Sequence, residues 1–241
     1  MSFFSKRFGP VSDKAAGGEL VFNSSKTCPE CGSKLATRKD ELSESRSAPS
    51  DGDSRSSSLR SEDAKWRCPN LDCPVRVRER IEHWCSAGAM DIPSVDEALV
   101  AQLVKQGLVR DVAEMYSVKL IEVAALEGRD KQFAKSLIEQ LAASKSREGW
   151  RVLYGLGIPQ VDTESAKQLS CKLGAVDDIL AAGPERLLKQ AGVSESVARS
   201  IAQWYGDSVN RRLVRRLQRA GVDFKTDGFS PPRSCPSSSE R

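Results

Sequence analysis

Long apolar runs are missing from this sequence. None of the 241 residues' hydrophobic stretches is long enough to cross a bilayer, which excludes a helical membrane span. The opening MSFFSKRFGPV has no apolar core of the secretory kind. A cytoplasmic, soluble protein with no membrane partner is therefore expected. Hydrophobic residues make up 39% of the chain, below the usual globular share, and charged residues 29%, somewhat above it. The shortfall is local, because long Ser-rich and charged stretches dilute an otherwise foldable chain. The length fits one or two domains of ordinary size. Strong net charge is absent too: the formal value is +4. Acids outnumber bases 9 to 7 from Asp91 to Lys145, and bases outnumber acids 9 to 5 from Ala191 to the end. A basic end favours an anionic partner, although +4 alone does not establish one.

Cysteines are few and unevenly placed. Four of the seven form two close pairs, Cys28-Pro-Glu-Cys31 and Cys68-Pro-Asn-Leu-Asp-Cys73. In a cytosolic chain such pairs read as metal ligands before disulfides. Each pair closes a knuckle that aims both thiolates at one ion, helped after the first pair by the turn residue Gly32. Four thiolates in tetrahedral array favour Zn2+, and four protein ligands leave no open position, so the site is structural. Between the pairs runs KDELSESRSAPSDGDSRSSSLRSEDAK, which lacks the apolar residues needed to fold. A disordered insertion over 38–65 explains the long spacer, since a longer loop adds little closure entropy. The only histidine, His83, reads as a packed or capping helix residue and not as a ligand. Cys85 and Cys171 read as helical residues and Cys235 as a tail residue.

From Val75 onward the period is helical. Apolar stripes run through Ala98, Leu99, Leu103 and Val104, then Phe133, Ala134, Leu137, Ile138 and Leu141. Ala166, Leu169 and Leu173 follow, then Val197, Ala198, Ile201, Ala202 and Tyr205, and finally Leu213, Val214, Leu217 and Ala220, ended by Gly221. Pro184 fits the first turn of a short helix. A short turn precedes a helix at Ser94-Val95-Asp96, Gly128-Arg129-Asp130, Gln160-Val161-Asp162 and Gly192-Val193-Ser194, in steps of 34, 32 and 32 residues. A fixed period means repeated supersecondary units. Tetratricopeptide repeats share the period, but their Trp-Leu-Gly-Tyr and Ala-Phe-Pro pattern is missing. A tight turn feeding a helix suits helix-hairpin-helix units better. The expected architecture is mostly α: a flexible lead at 1–26 with one strand at Glu19–Phe22, a small four-cysteine zinc finger at 27–85, a four-unit helix-hairpin-helix domain at 86–224, and a disordered tail at 225–241.

The segments CPECGSKL, WRCPNLDCPVRVRERIEHW and AMDI closely resemble the zinc finger of bacterial NAD-dependent DNA ligases and its exit into the next domain. LVAQLVKQGLVRDVAEMYSVKL, ALEGRDKQFAKSLIEQLAASK, LYGLGIPQVDTESAKQL and RRLQRAGV resemble successive pieces of that family's helix-hairpin-helix domain. The resemblance runs from about Thr27 to Val222. It implies a region that grips the sugar–phosphate backbone of nicked or duplex DNA, while the chemistry occurs on a lysine of a Lys-x-Asp-Gly motif in a separate nucleotidyltransferase domain. That domain, most or all of the oligonucleotide-binding barrel and the BRCT domain are expected to lie outside this chain, so it should hold structural Zn2+ but not bind NAD alone, and should not catalyse alone. Lys225-Thr226-Asp227-Gly228 spells the motif, but only a Pro/Ser-rich tail follows where a folded pocket is needed.

The family's hairpins typically use Gly-x-Gly turns, whose second glycine lets backbone N–H groups meet a phosphate at the next helix. Here the second glycine is replaced by Asp96, Asp130, Asp162 and Ser194, all good N-caps. Each side chain is expected to cap its own helix and fill the place of a phosphate; the alternative is that these hairpins are purely structural. Candidate DNA contacts are Arg76, Arg78 and Arg80, the hairpin residues Gly128, Arg129, Lys131, Gly192 and Arg199, and the stripe Arg211, Arg212, Arg215, Arg216 and Arg219. Three functions follow: a non-sequence-specific DNA-binding part of a ligase, an accessory chain of a split ligase completed in trans by an adenylation subunit, or a ligase-derived protein-interaction scaffold.

Overall fold

The computed structural model describes residues 27–36, 68–70 and 72–225. The expected lead with its strand, the insertion at 38–65 and residues 226–241 of the expected tail lie outside the described residues. The chain divides into two units, Met1–Pro69 and Asn70–Arg241.

In the first unit the described residues form a small turn. Thr27 and Lys34 make an antiparallel bridge. Inside it the Cys28 amide donates to the Ser33 carbonyl at 2.7 Å, and the Gly32 amide to the Cys28 carbonyl at 2.8 Å. Gly32 sits at φ +71, a conformation glycine adopts without penalty. Leu35 is the one buried aliphatic side chain among these described residues.

The described residues of the second unit form helices joined by turns and short connections, with no strand among them. Helix α1 spans Pro74–Cys85, with Pro74 in the first turn, where its missing N–H costs nothing. Its Val77, Ile81, Trp84 and Cys85 are buried along one face. Helices α2 (Glu97–Lys105), α3 (Leu120–Ala124) and α4 (Lys131–Ser144) follow, with a 3-10 turn at Glu114–Ser117 before α3. Then come α5 (Gly149–Gly155), α6 (Thr163–Leu173), α7 (Val176–Ala181) and α8 (Pro184–Arg186), which runs into a π-helical turn at Leu187–Ala191. Helices α9 (Glu195–Gly206) and α10 (Ser208–Arg219) complete the unit. Helix α1 packs on α2, α3 on α4, α5 on α6, and α8 with its π turn on α9, giving four hairpins. The expected apolar stripes supply the core: Leu99, Leu103, Leu137, Leu169, Ile201 and Leu217 are all fully buried.

Polar groups inside this core are threaded together. The Trp84 indole N–H donates to the Tyr116 hydroxyl at 3.0 Å. The Ser144 hydroxyl donates to the Leu141 carbonyl at 2.9 Å, so the Tyr116 proton must point at Ser144 Oγ, 3.1 Å away. Burial pushes the Tyr116 pKa up and keeps that proton in place. Helix α5 comes against Trp84 at a glycine: a Cβ on Gly155 would stand 2.9 Å from the indole ring. His83 is the packed residue expected, with Nε2 2.9 Å from the Tyr154 carbonyl and its ring 4.7 Å from the Tyr154 ring.

Candidate functional site

The two cysteine pairs converge. The sulfur atoms of Cys28, Cys31, Cys68 and Cys73 all lie within 4.8 Å of one another. Cys31 Sγ and Cys68 Sγ are 3.4 Å apart. A zinc ion with Zn–S bonds of about 2.3 Å needs tetrahedral edges of roughly 3.8 Å, inside the observed spread. Cys28, Cys68 and Cys73 are buried and Cys31 partly so, which shields the ligands from competing water. The Ser33 hydroxyl lies 3.3 Å from Cys31 Sγ and can donate to that sulfur once it is a thiolate. Cys73 stands at the N-cap of α1, where the helix dipole favours a thiolate. The donor set and geometry fit zinc and supply four ligands, the closed shell of a structural site.

The four hairpin turns also end on side chains doing what their chemistry predicts. Asp96 accepts from the Leu99 amide at 2.7 Å, Asp130 from Phe133 at 2.7 Å, and Asp162 from Ser165 at 2.8 Å. Ser194 accepts from Val197 at 3.4 Å. Each residue thus satisfies one of the orphan amides that open its own helix. The hydrogen bond from Arg129 holds the Asp96 carboxyl below the ordinary aspartate range, with Leu99 adding to it. For Asp162 the donors at Ser165 do the same. The residue two before the cap is left-handed in three turns, at Gly128 (φ +73), Gln160 (φ +65) and Gly192 (φ +67), but not at Ser94. Gln160 therefore holds a conformation that a side chain disfavours.

Side chains that sequence reasoning overlooked tie the hairpins into pairs. Gln102, six residues past the Asp96 cap, donates to the Glu127 carbonyl of the second turn at 3.2 Å. Gln168, six past Asp162, donates to the Ala191 carbonyl before the fourth turn at 2.9 Å. In return Gln140 holds both the amide and the hydroxyl of Ser94, and Ser200 donates to the Pro159 carbonyl at 2.6 Å. The matching glutamine positions were readable as part of the internal repeat. Their contacts were not, because a half-buried glutamine looks like any polar helix residue.

The basic candidates separate into engaged and unengaged groups. Arg129 makes a two-pronged pair with Asp96 at 2.7 and 2.8 Å, and its guanidinium lies 4.3 Å from the Phe133 ring centre. Arg199 pairs with Glu195 one helical turn away. Arg216 bonds Asp111 and, at 3.0 Å, Glu114. Arg76 pairs with Glu79 at 3.0 Å and shares a helix face with Arg80, whose pKa burial lowers; Arg78 falls on another face of α1. Lys131 is exposed in the first turn of α4, and the backbones of Gly128 and Gly192 are exposed. Arg211, Arg212, Arg215 and Arg219 are exposed on α10 and, among the described residues, make no ion pair.

A four-cysteine cluster followed by paired turn–helix units defines a zinc knuckle joined to a tandem helix-hairpin-helix unit. Comparison with known proteins agrees. Residues 27–74 match the NAD-dependent DNA ligase C4 zinc finger domain, and residues 151–214 match the helix-hairpin-helix motif. The chain is similar to the DNA ligase of Rubrobacter xylanophilus, with 34% identity over 89% of this chain. It is also similar to those of Koribacter versatilis, with 33% identity over 86%, and Aquifex aeolicus, with 32% over 89%. It spans 28%, 28% and 27% of those relatives' lengths. In sequence the chain corresponds to the zinc-finger and helix-hairpin-helix segment of NAD-dependent DNA ligases. Among the described residues no helix is long and apolar enough to cross a membrane.

Proposed function

We propose that this chain is a zinc-stabilised, non-sequence-specific DNA-binding region of an NAD-dependent DNA ligase, non-catalytic by itself. The observation that carries this reading is the closed Cys28–Cys31–Cys68–Cys73 cluster and the four capped hairpins occurring in one chain whose ligase likeness covers both. Four protein thiolates leave zinc no position for substrate, so the metal holds shape and does no chemistry. Backbone contacts carry no base information, so affinity should follow phosphates and not sequence. The test is a mobility shift of a nicked duplex by the zinc-loaded protein, with a sealing assay in NAD beside it. Binding without sealing is expected. Sealing by the chain alone would overturn the non-catalytic reading, and no shift at low salt would overturn DNA binding.

The trans-acting reading, an accessory chain completed by a separate adenylation subunit, shares every feature of this site and differs only in its partner. Sealing restored by an added adenylation domain, where neither piece seals alone, would establish it. The scaffold reading draws on the caps: Asp96, Asp130 and Asp162 place carboxylates where a phosphate would approach the helix ends. Under the DNA-binding reading, Asp130→Gly and Asp162→Gly should raise affinity for a nicked duplex by removing that repulsion.

A further inference from the structure

The hairpin ends are closed by their own side chains, and Arg129, Arg199 and Arg216 are each held by carboxylates. Apart from Lys131, exposed at the second hairpin, a denser group of positive charge lies elsewhere. Helix α10 buries Val214 and Leu217 and turns Arg211, Arg212, Arg215 and Arg219 outward. Arg211, Arg215 and Arg219 are spaced four residues apart and form one row about 12 Å long. That length matches roughly three or four phosphates of a single strand at 3.4 Å each along the duplex axis. Arg212 flanks the row one step around the helix.

Two features present this row outward without neutralising it. Arg216, at the edge of this face beyond Arg212, is clamped by Asp111 and Glu114, which fixes the rotation of α10. The acids flanking the helix are also engaged. Asp207 accepts from the Val209 amide, Asp177 from the Gln218 amide group, and Asp223 from the Lys225 amide. The helix itself contains no acidic residue.

Resting on the DNA-binding reading above, we propose that duplex DNA is gripped through its phosphates by the outer face of α10, through Arg211, Arg212, Arg215 and Arg219, and not at the capped hairpin ends. Arg216 is a positioning residue. The fork of arginine donors suits phosphate oxygens.

The test compares the full zinc-loaded chain with R211Q/R215Q/R219Q and with the control K135Q/K189Q, using fluorescence anisotropy on a labelled duplex across a salt series. Four contacts give a log–log salt slope of roughly −3.6, and losing three removes about 2.7 of it. The triple variant should bind at least about tenfold more weakly at low salt, with unchanged circular dichroism and zinc content, while the control keeps the parent slope. A triple variant with the parent's slope and affinity would overturn the α10 assignment and leave DNA binding standing. Failure of the parent chain itself to bind would overturn both. Tighter binding of the parent to an acidic peptide than to duplex would overturn DNA as the occupant and assign the face to a protein.

Discussion

The cysteine knuckle and the helical unit are held in opposite ways. The knuckle's described residues bury one aliphatic side chain, Leu35, beside their cysteines and make a handful of turn hydrogen bonds. The helical unit buries some of its largest side chains completely, among them Ile81, Trp84, Met90 and Leu137. So little apolar burial among the described residues does not offset the entropy of ordering their backbone without another term, and a metal on the four cysteines is the term expected to supply it. The helical unit is expected to hold without the ion. Its specificity comes from jigsaw packing, helix caps and side-chain bonds between hairpins.

Removing the metal should break the comparison most sharply. Zinc binding to such sites is worth on the order of 10 kcal/mol. One zinc per chain is expected by elemental analysis, and Cys31→Ser should weaken zinc retention against a chelator far more than it changes the thermal transition of the helices. Loss of that transition together with zinc would show that the helices, too, depend on the ion. The reverse experiment comes next: Trp84→Ala should cost about 3–5 kcal/mol in urea unfolding of the helical unit. Gly155→Ala, forcing a methyl to within 2.9 Å of the indole, should cost about 1–3 kcal/mol.

Smaller effects sharpen the account within the helical unit. Asp162→Ala should cost about 1 kcal/mol of stability at neutral pH. The carboxyl of Asp162 is held below its ordinary range, so its contribution is present above that range and is lost as pH falls through the folded-state value. The gap between parent and variant should therefore close on acidification, and a gap that widens would contradict the cap. Gln160→Gly should be the mildest change, a gain of up to about 1 kcal/mol, because it relieves a left-handed residue while loosening the unfolded chain.

The two regions were also legible in the sequence for different reasons. The knuckle shows in spacing, because two short cysteine pairs restrict their sulfurs to one place; Cys28 and Cys73 meet despite the long interval between them. The long helices show in period, and the N-caps at Asp96, Asp130, Asp162 and Ser194 show in side-chain chemistry. The short first helices of the second and third hairpins, α3 and α5, do not show. Five and seven residues complete too few turns to establish a stripe, and Ile121 in α3 is exposed. The basic residues were the least legible. Arg211 and Arg216 look alike in sequence, yet one is exposed and unpaired while the other is clamped by Asp111 and Glu114 of the segment around the 3-10 turn. That distinction depends on contacts more than a hundred residues apart in sequence.

The central claim is that this zinc-bearing hairpin region holds DNA by its backbone. The most direct measurement is the affinity of the zinc-loaded protein for nicked and intact duplexes of two unrelated sequences across a salt series. The account predicts binding that is indifferent to sequence, favours the nick and weakens steeply with salt, by several powers of the salt concentration. Affinity that changes with sequence but not with salt, or no binding even at low salt, would contradict it.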